Sequence, residues 1–166
     1  PEGRAGLGQL SVASDETLDG LGRLGRVIHE AGSACALQIS HAGSRTSPAI
    51  SGSRPRAPSA VAHPASASWD VPQELDRMGM ATILEAFTSG ARRAKVAGFD
   101  AVELHAAHGY LLDQFLSPLT NRRTDLYGGS LVGRILFLEE VVRAVRRAVG
   151  PGYPIFVRLG VADFLE

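Results

Sequence analysis

The stretch Val102–Pro118, VELHAAHGYLLDQFLSP, places His105 and His108 three residues apart, with Tyr110 two further on. Neutral imidazoles can polarise a carbonyl, and a phenol is a competent proton donor. Together they suit addition to, or reduction of, a carbonyl-conjugated system. Spacing decides whether they meet. In a continuing strand, residues three apart point to opposite faces, whereas a helical turn after His105 would bring them to one side. Ala106 and Ala107 favour helix and Gly109 permits a sharp exit, so the stretch allows such a turn. A metal site through His105 and His108, with His41 or Glu103, is a second reading. Three-apart spacing at a strand end is not a standard zinc signature, however, and the chain has no HExxH. Cys35 as a nucleophile is a weaker reading still, because it lies near the start of a strand and small buried cysteines are usually packing.

Such residues need elements to hold them. From Asp15 to about Ala31, Leu18, Leu21, Leu24 and Ile28 recur at helical spacing, with Gly32 as a C-terminal cap. Ala34–Ser40 reads as a short buried strand. A second helix is expected from about Gly79 to Ala97, with Ile83, Phe87, Ala91 and Ala94 inward and Gly98 as its stop, followed by a strand over Phe99–His105. A third helix, Leu131–Val149, would turn Leu131, Ile135, Leu138, Val142 and Val145 inward, capped by Ser130 and ended by Gly150-Pro151. Pro154–Gly160 is the last strand. Residues 42–76, rich in Ser, Pro, Gly and Ala, are expected to form a long loop or lid, with Trp69 favouring something that packs down. In the irregular stretch Ser117–Ser130, Arg122, Arg123, Asp125 and Tyr127 accompany glycines but no lysine. A salt-bridged loop feeding a helix cap is therefore preferred to a phosphate cradle.

Alternating helices and single apolar strands imply parallel βα architecture, either a barrel or a doubly wound sheet. No G-x-G-x-x-G follows a strand, which weighs against a dinucleotide-binding Rossmann domain. A complete (β/α)8 barrel takes about 250 residues, so this chain would hold about three of its strands. In parallel βα folds function sits at the C-terminal strand ends, and the three strands carry Gln38, His105 and Arg158 at or near theirs. Each could satisfy a neighbour inside the core, yet three on consecutive strands favour one shared pocket.

Bulk properties exclude some classes. The chain has 166 residues, is 45% hydrophobic and carries a formal net charge of +0. That is globular composition, with no reason to expect nucleic acid or a membrane surface as partner. The single cysteine rules out an internal disulfide and fits a reducing, cytoplasmic compartment. No apolar run approaches the roughly 18 residues of a membrane span. There is no initiator Met and no signal-peptide pattern, so both ends look cut.

The segments LQISHAGSR, APSAV, AGFDAVELHAAHGYLLDQFLSPLTNRRTDLYGGS and FVRLG, with PEGR at the start, resemble the Old Yellow Enzyme family of NADH:flavin oxidoreductases nearly end to end. The HxxHxY form is similar to its bacterial branch with two histidines. The resemblance implies one partial (β/α)8 TIM-barrel domain over 1–166 that binds FMN, running from about the second helix to the fifth strand. It implies that Gln38 hydrogen-bonds the flavin pyrimidine ring and that Arg158 places positive charge near flavin N1 and the C2 carbonyl. His105 and His108 would bind the substrate carbonyl oxygen. Tyr110 would give the proton to the alpha carbon while flavin N5 gives hydride to the beta carbon, with NAD(P)H as reductant. The partner expected is a small enone or quinone-like molecule, and homo-oligomerisation stays open. The first two and last three strands, the phosphate-binding site near strands seven and eight, and any C-terminal iron–sulfur or second flavin domain would lie outside the chain. The 166-residue chain alone is therefore expected to be inactive. Alternatives are a portion of a larger dienoyl-CoA reductase or amine dehydrogenase-like flavoenzyme, or an inactive partial-barrel scaffold. Two departures stand out: HAGSR in place of the familiar HAGR, which moves the arginine to Arg45, and Gly133 where asparagine is common.

Overall fold

Alternation along one strand organises the molecule, whose computed structural model describes residues 2–62 and 70–163. Trp69 and its expected packing lie outside the described residues. The central strand, β4 (Ala101–Ala106), lies between β1 (Ala36–Ile39) and β5 (Ile155–Leu159) in a three-stranded parallel sheet. Chain order and sheet order agree, each strand adding beyond the last. This is how a barrel wall grows, whereas a doubly wound sheet reverses direction. Val102, Leu104 and Ala106 point to one face of β4 and are fully buried in a cluster with Ile83, Phe87 and Ala91 of α3 (Arg77–Val96) and Phe137, Val141 and Val145 of α5 (Leu131–Val149). Side chains of the opposite parity, Glu103 and His105, point the other way.

The helices form where their periodicity predicts. In α3, Asp76 caps the start by accepting a 2.7 Å hydrogen bond from Gly79 N–H, and all four residues expected inward are buried. Ser130 caps α5 through Gly133 N–H at 3.2 Å. The inward face of α5 is rotated from expectation. Leu138, Val145 and half-buried Val142 do face the core, but Leu131 and Ile135 are exposed and border a groove with Leu159 and Val161 beside the sheet's free edge. Phe137, Val141 and Val149 take their places, because the side of α5 that meets β4 and α3 decides burial. In α1 (Leu18–Glu30), Leu21 is buried but Leu24 is exposed, and Gly25 occupies the close-approach position instead.

Two ordered pieces break the expected loops. Residues 42–76 contain a turn of helix, α2 (Pro48–Ser51), and a two-residue parallel pairing of β2 (Arg56–Ala57) with β3 (Gln73–Glu74). Buried Ala57 and Leu75 anchor that pairing, and Arg123 donates hydrogen bonds to Pro58 O and Leu75 O at 2.8 and 2.7 Å. The stretch 117–130 is thus a structural tie, as expected, with Arg123 also paired to Asp125. Directly after the histidines, α4 (Leu111–Leu116) buries Leu111, Leu112, Gln114 and Phe115. Among the described residues, no helix is long and apolar enough to cross a membrane.

Candidate active site

Strand register brings the polar residues together. Gln38 is paired with Glu103, and His105 with Arg158, across adjacent parallel strands. Paired residues of parallel strands share a face, so Gln38, Glu103, His105, Phe156 and Arg158 stand on the face opposite the core cluster. Gln38 and Arg158 are exposed there, and Phe156 keeps 52% of its surface accessible. His105 alone is buried, at 4%. The reading of three residues satisfied inside the core therefore fails for Gln38 and Arg158. Gln38, His105 and Arg158 lie toward the C-terminal ends of their strands, and His108 lies in the turn just beyond β4. Glu103 joins them as a residue that sequence reasoning weighed only as a metal ligand. Its side chain accepts a hydrogen bond from the Gln38 amide. The signal for it was the alternation Val102-Glu103-Leu104-His105-Ala106, which puts both polar residues on one face.

The turn that gathers the aromatic rings is not the helical one that the sequence allows. β4 continues through Ala106, and the chain then reverses through His108 (φ 59°) and Gly109 (φ 69°), both in the left-handed region. His108 is the one non-glycine residue with positive φ among the described residues. Such a conformation costs on the order of 1–3 kcal/mol and persists where its surroundings over-determine it. Here they do. Asp113 accepts a hydrogen bond from Gly109 N–H at 2.7 Å, Tyr110 N–H bonds Ala107 O at 3.2 Å, and Arg45 donates to His108 O. Burial and nearby Asp163 push the Asp113 carboxyl above the usual range, against the lowering effect of that Gly109 bond.

The meeting of the rings that a helical turn would give is reached by this other route. His108 Nδ1 lies 3.2 Å from His105 Nε2, and the rings stand edge-on with centroids 5.0 Å apart. The Tyr110 ring centroid is 4.9 Å from that of His105. Ala107 N–H donates to His105 Nδ1 at 3.3 Å, so the neutral His105 ring carries its proton on Nε2, facing His108. Burial first, then the charges of His108 and Arg158, hold the His105 pKa below the ordinary imidazole value, with Glu103 opposing. A neutral donor is thus fixed at the strand end.

A second layer joins this turn to the loop after β1. Buried Gln114 accepts from Ser44 N–H at 3.1 Å and donates to Ala42 O at 3.3 Å and to Gly109 O. Leu111 N–H donates to His41 O at 2.9 Å. Gly43 has φ 63°, and a Cβ there would come within 2.2 Å of the Gln114 amide. The arginine of HAGSR finds a defined place, with the Arg45 guanidinium 5.7 Å from the Tyr110 ring centroid. His41 itself is buried, its Nδ1 accepting from Gly43 N–H at 3.0 Å. The metal reading gains nothing from this geometry. Among the described residues, the group of three ligand-type side chains close enough to share an ion is elsewhere and includes none of His41, Glu103, His105 or His108. Cys35 is half-buried at the opposite strand end, as expected away from these rings.

Residues 1–166 match the NADH:flavin oxidoreductase / NADH oxidase family. The chain is 44% identical over 163 residues to the NADPH dehydrogenase of Geobacillus sp. (strain WCH70), covering 98% of this chain and 46% of that protein. It is 42% identical over 167 residues to the NADH oxidase of Thermoanaerobacter brockii, covering 100% of this chain and 25% of that protein. Among solved structures, morphinone reductase in complex with tetrahydroNAD superposes with a TM-score of 0.85 at 35% identity, over 95% of this chain and 48% of that one. The chain therefore spans between a quarter and a half of the relatives it matches.

Proposed function

Because the chain belongs to the NADH:flavin oxidoreductase / NADH oxidase family, the Old Yellow Enzyme family of the sequence resemblance, we propose that it carries the substrate-binding strand ends of an FMN-dependent NAD(P)H oxidoreductase reducing activated C=C bonds of enones or quinone-like compounds. The observation that carries this reading is the meeting of His105, His108 and Tyr110 at the end of β4, beside Gln38 and Arg158 on one open face. On this reading the three strands are the third, fourth and fifth of the barrel, and the compartment is the reducing cytoplasm.

The donor set fits the cofactor. An exposed carboxamide and an exposed guanidinium stand on either side of the strand that bears the histidines, suited to the carbonyls and ring nitrogens of a flavin pyrimidine. Gln38 and Arg158 would hold that end. Hydride is the chemistry that bound FMN supplies, with NAD(P)H as its source. The chain's own residues do the rest. His105 Nε2–H and the His108 ring, 3.2 Å apart, can both donate to one carbonyl oxygen once His108 holds its proton on Nδ1. Negative charge building on that oxygen then meets donors already in position. Tyr110 gives its phenolic proton to the alpha carbon, and the Arg45 guanidinium beside the ring offsets the charge left on the oxygen.

Tyr110→Phe tests the assignment in a flavin-loaded protein that carries this segment together with the rest of the barrel. Loss of the proton donor should slow enone reduction by about 10²–10⁴-fold. Oxidation of NAD(P)H by the bound flavin should continue. Equal loss of both half-reactions would remove Tyr110 from the proton-transfer role.

A second reading follows from the size of the relatives. Identity is 44% to a relative of which the chain spans 46%, and 42% to one of which it spans 25%. A larger flavoenzyme acting on a dienoyl-CoA or an amine therefore remains the alternative substrate class. Turnover of an acyl-CoA thioester in preference to the free enone would select it. A protein that takes up no flavin and reduces neither substrate would be a scaffold.

A further inference from the structure

At the opposite end of the same sheet, three side chains with metal-ligating atoms meet without any role in the chemistry above. Cys35 immediately precedes β1 and Asp100 immediately precedes β4, and the pairing of Ala36 with Ala101 sets them side by side. His29 comes from the last turn of α1, folded back on the strands by the left-handed turn at Gly32 (φ 82°). His29 Nε2 is 2.8 Å from Asp100 Oδ2 and 3.5 Å from Cys35 Sγ. All three ligand atoms lie within 4.8 Å of one another.

We propose that His29, Cys35 and Asp100 form a binding site for a borderline divalent cation of the zinc type, with the fourth position open to water. Zinc bonds of about 2.3 Å to sulfur and about 2.0–2.1 Å to nitrogen, at a tetrahedral angle, set the two ligand atoms about 3.5 Å apart. The Cys35–His29 distance has that value. The same construction places nitrogen and carboxylate oxygen about 3.3 Å apart. Asp100 must therefore retreat by about half an ångström from His29 as their hydrogen bond gives way to two metal bonds. Its Oδ2 also accepts from Cys35 N–H at 2.8 Å, an outer hydrogen bond of the sort that orients a ligating carboxylate. The side chains of His29 and Asp100 are 40% and 49% exposed, so an ion can enter.

Two other uses of the cluster fit less well. Burial and the adjacent Asp100 carboxylate push the Cys35 thiol up, which disfavours a free thiolate nucleophile. A divalent cation reverses that preference, because a coordinating thiol is deprotonated outright. A hydrogen-bonded tie between α1 and β4 accounts for His29 and Asp100, but it leaves the thiol at tetrahedral distance with no purpose.

Cobalt(II) and zinc titrations of the 166-residue chain test the site. Cobalt should give thiolate-to-metal charge-transfer absorption, which zinc displaces. Zinc should also slow alkylation of Cys35, the single cysteine, in the unaltered chain. Cys35→Ala should abolish the absorption band. His29→Gln should weaken zinc binding by more than the roughly 10–100-fold that loss of an outer-sphere partner costs, with circular dichroism confirming the fold. Cobalt binding without a thiolate band, or alkylation unchanged by zinc, would overturn the proposal without any appeal to a variant. Neither readout involves flavin or turnover, so the outcome is independent of the oxidoreductase reading.

Discussion

The two faces of β4 differ in almost everything except backbone. Val102, Leu104 and Ala106 are fully enclosed by α3 and α5, while Glu103 and His105, one residue out of phase, stand among Gln38, Phe156 and Arg158 on the other face. Hydrophobic burial on one side fixes where the strand is, and that position fixes where the polar groups on the other side point. A shift of one residue in register would exchange the two sets, burying a carboxylate and exposing the core. The face proposed to bind substrate is thus specified by residues on the opposite side of the strand.

Leu104→Ala should give the largest effect that separates the faces. Deleting a fully buried leucine side chain costs about 2–5 kcal/mol, from lost transfer energy and the cavity left behind. Glu103→Gln, at the adjacent position, removes a charge from a half-buried, open-faced site and should stay within about 0.5 kcal/mol. Denaturant midpoints of the two variants provide the measurement. Equal destabilisation would mean that the open face also carries the fold.

On the dry face the sequence was legible, and on the open face only in part. Ile83, Phe87, Ala91 and Ala94 of α3 follow helical period and are all buried, and α5 begins and ends where its cap residues say. Alternation between single strands and helices implied parallel pairing, and the register confirms it. α4 escaped because all but two of its six residues are buried, which erases the amphipathic period, and because six residues are too few to establish one. The reversal at His108 escaped for a different reason. A histidine in the left-handed region carries no local sequence mark, and its support comes from Asp113, Gln114 and Arg45, distant or across the turn. Glu103 was visible in the alternation, yet only pairing with Gln38 gives it a partner.

Catalysis should respond to the open face in the opposite sense from stability. In a flavin-loaded protein that carries this segment together with the rest of the barrel, His105→Ala combined with His108→Ala should weaken phenolate and enone binding while FMN stays bound. Losing one such preorganised donor typically costs about 2.7–4 kcal/mol in rate. Titration of ligand against flavin absorbance separates the two effects. Affinity and turnover unchanged in the double variant would take both histidines out of the mechanism.

Gly43→Ala and Gly32→Ala compare the two ends of β1. Both glycines have positive φ, so either substitution incurs strain of order 1–3 kcal/mol. A Cβ at Gly32 meets nothing within 4 Å, whereas one at Gly43 collides with the buried Gln114 amide that joins the loop after β1 to the His108 turn. Gly43→Ala should therefore be the less stable variant, and in a flavin-loaded protein that carries the whole barrel it alone should slow turnover by displacing the His108 turn. Thermal melts and rates measured side by side would show this. Matching losses of activity at the two positions would deny Gln114 its linking role.

The smallest effect concerns protons. Burial, His108 and Arg158 depress the His105 pKa, so the folded protein binds fewer protons at this ring than the unfolded chain does, from about pH 6.5 down to the lowered folded value. In that window stability rises with pH. The contribution of the neutral ring is present above the unfolded imidazole value and is lost as pH falls through the folded one. A nuclear magnetic resonance titration of the ring should place its midpoint below the ordinary histidine value. Arg158→Gln removes one of the depressing charges and should move that midpoint up, while burial and His108 keep it below normal. It should also flatten the acid side of the stability profile. A midpoint at the ordinary value in the unaltered protein would mean that His105 is more open to solvent than the sheet geometry allows. It would also mean that the neutral donor proposed for the substrate carbonyl is not held by the fold.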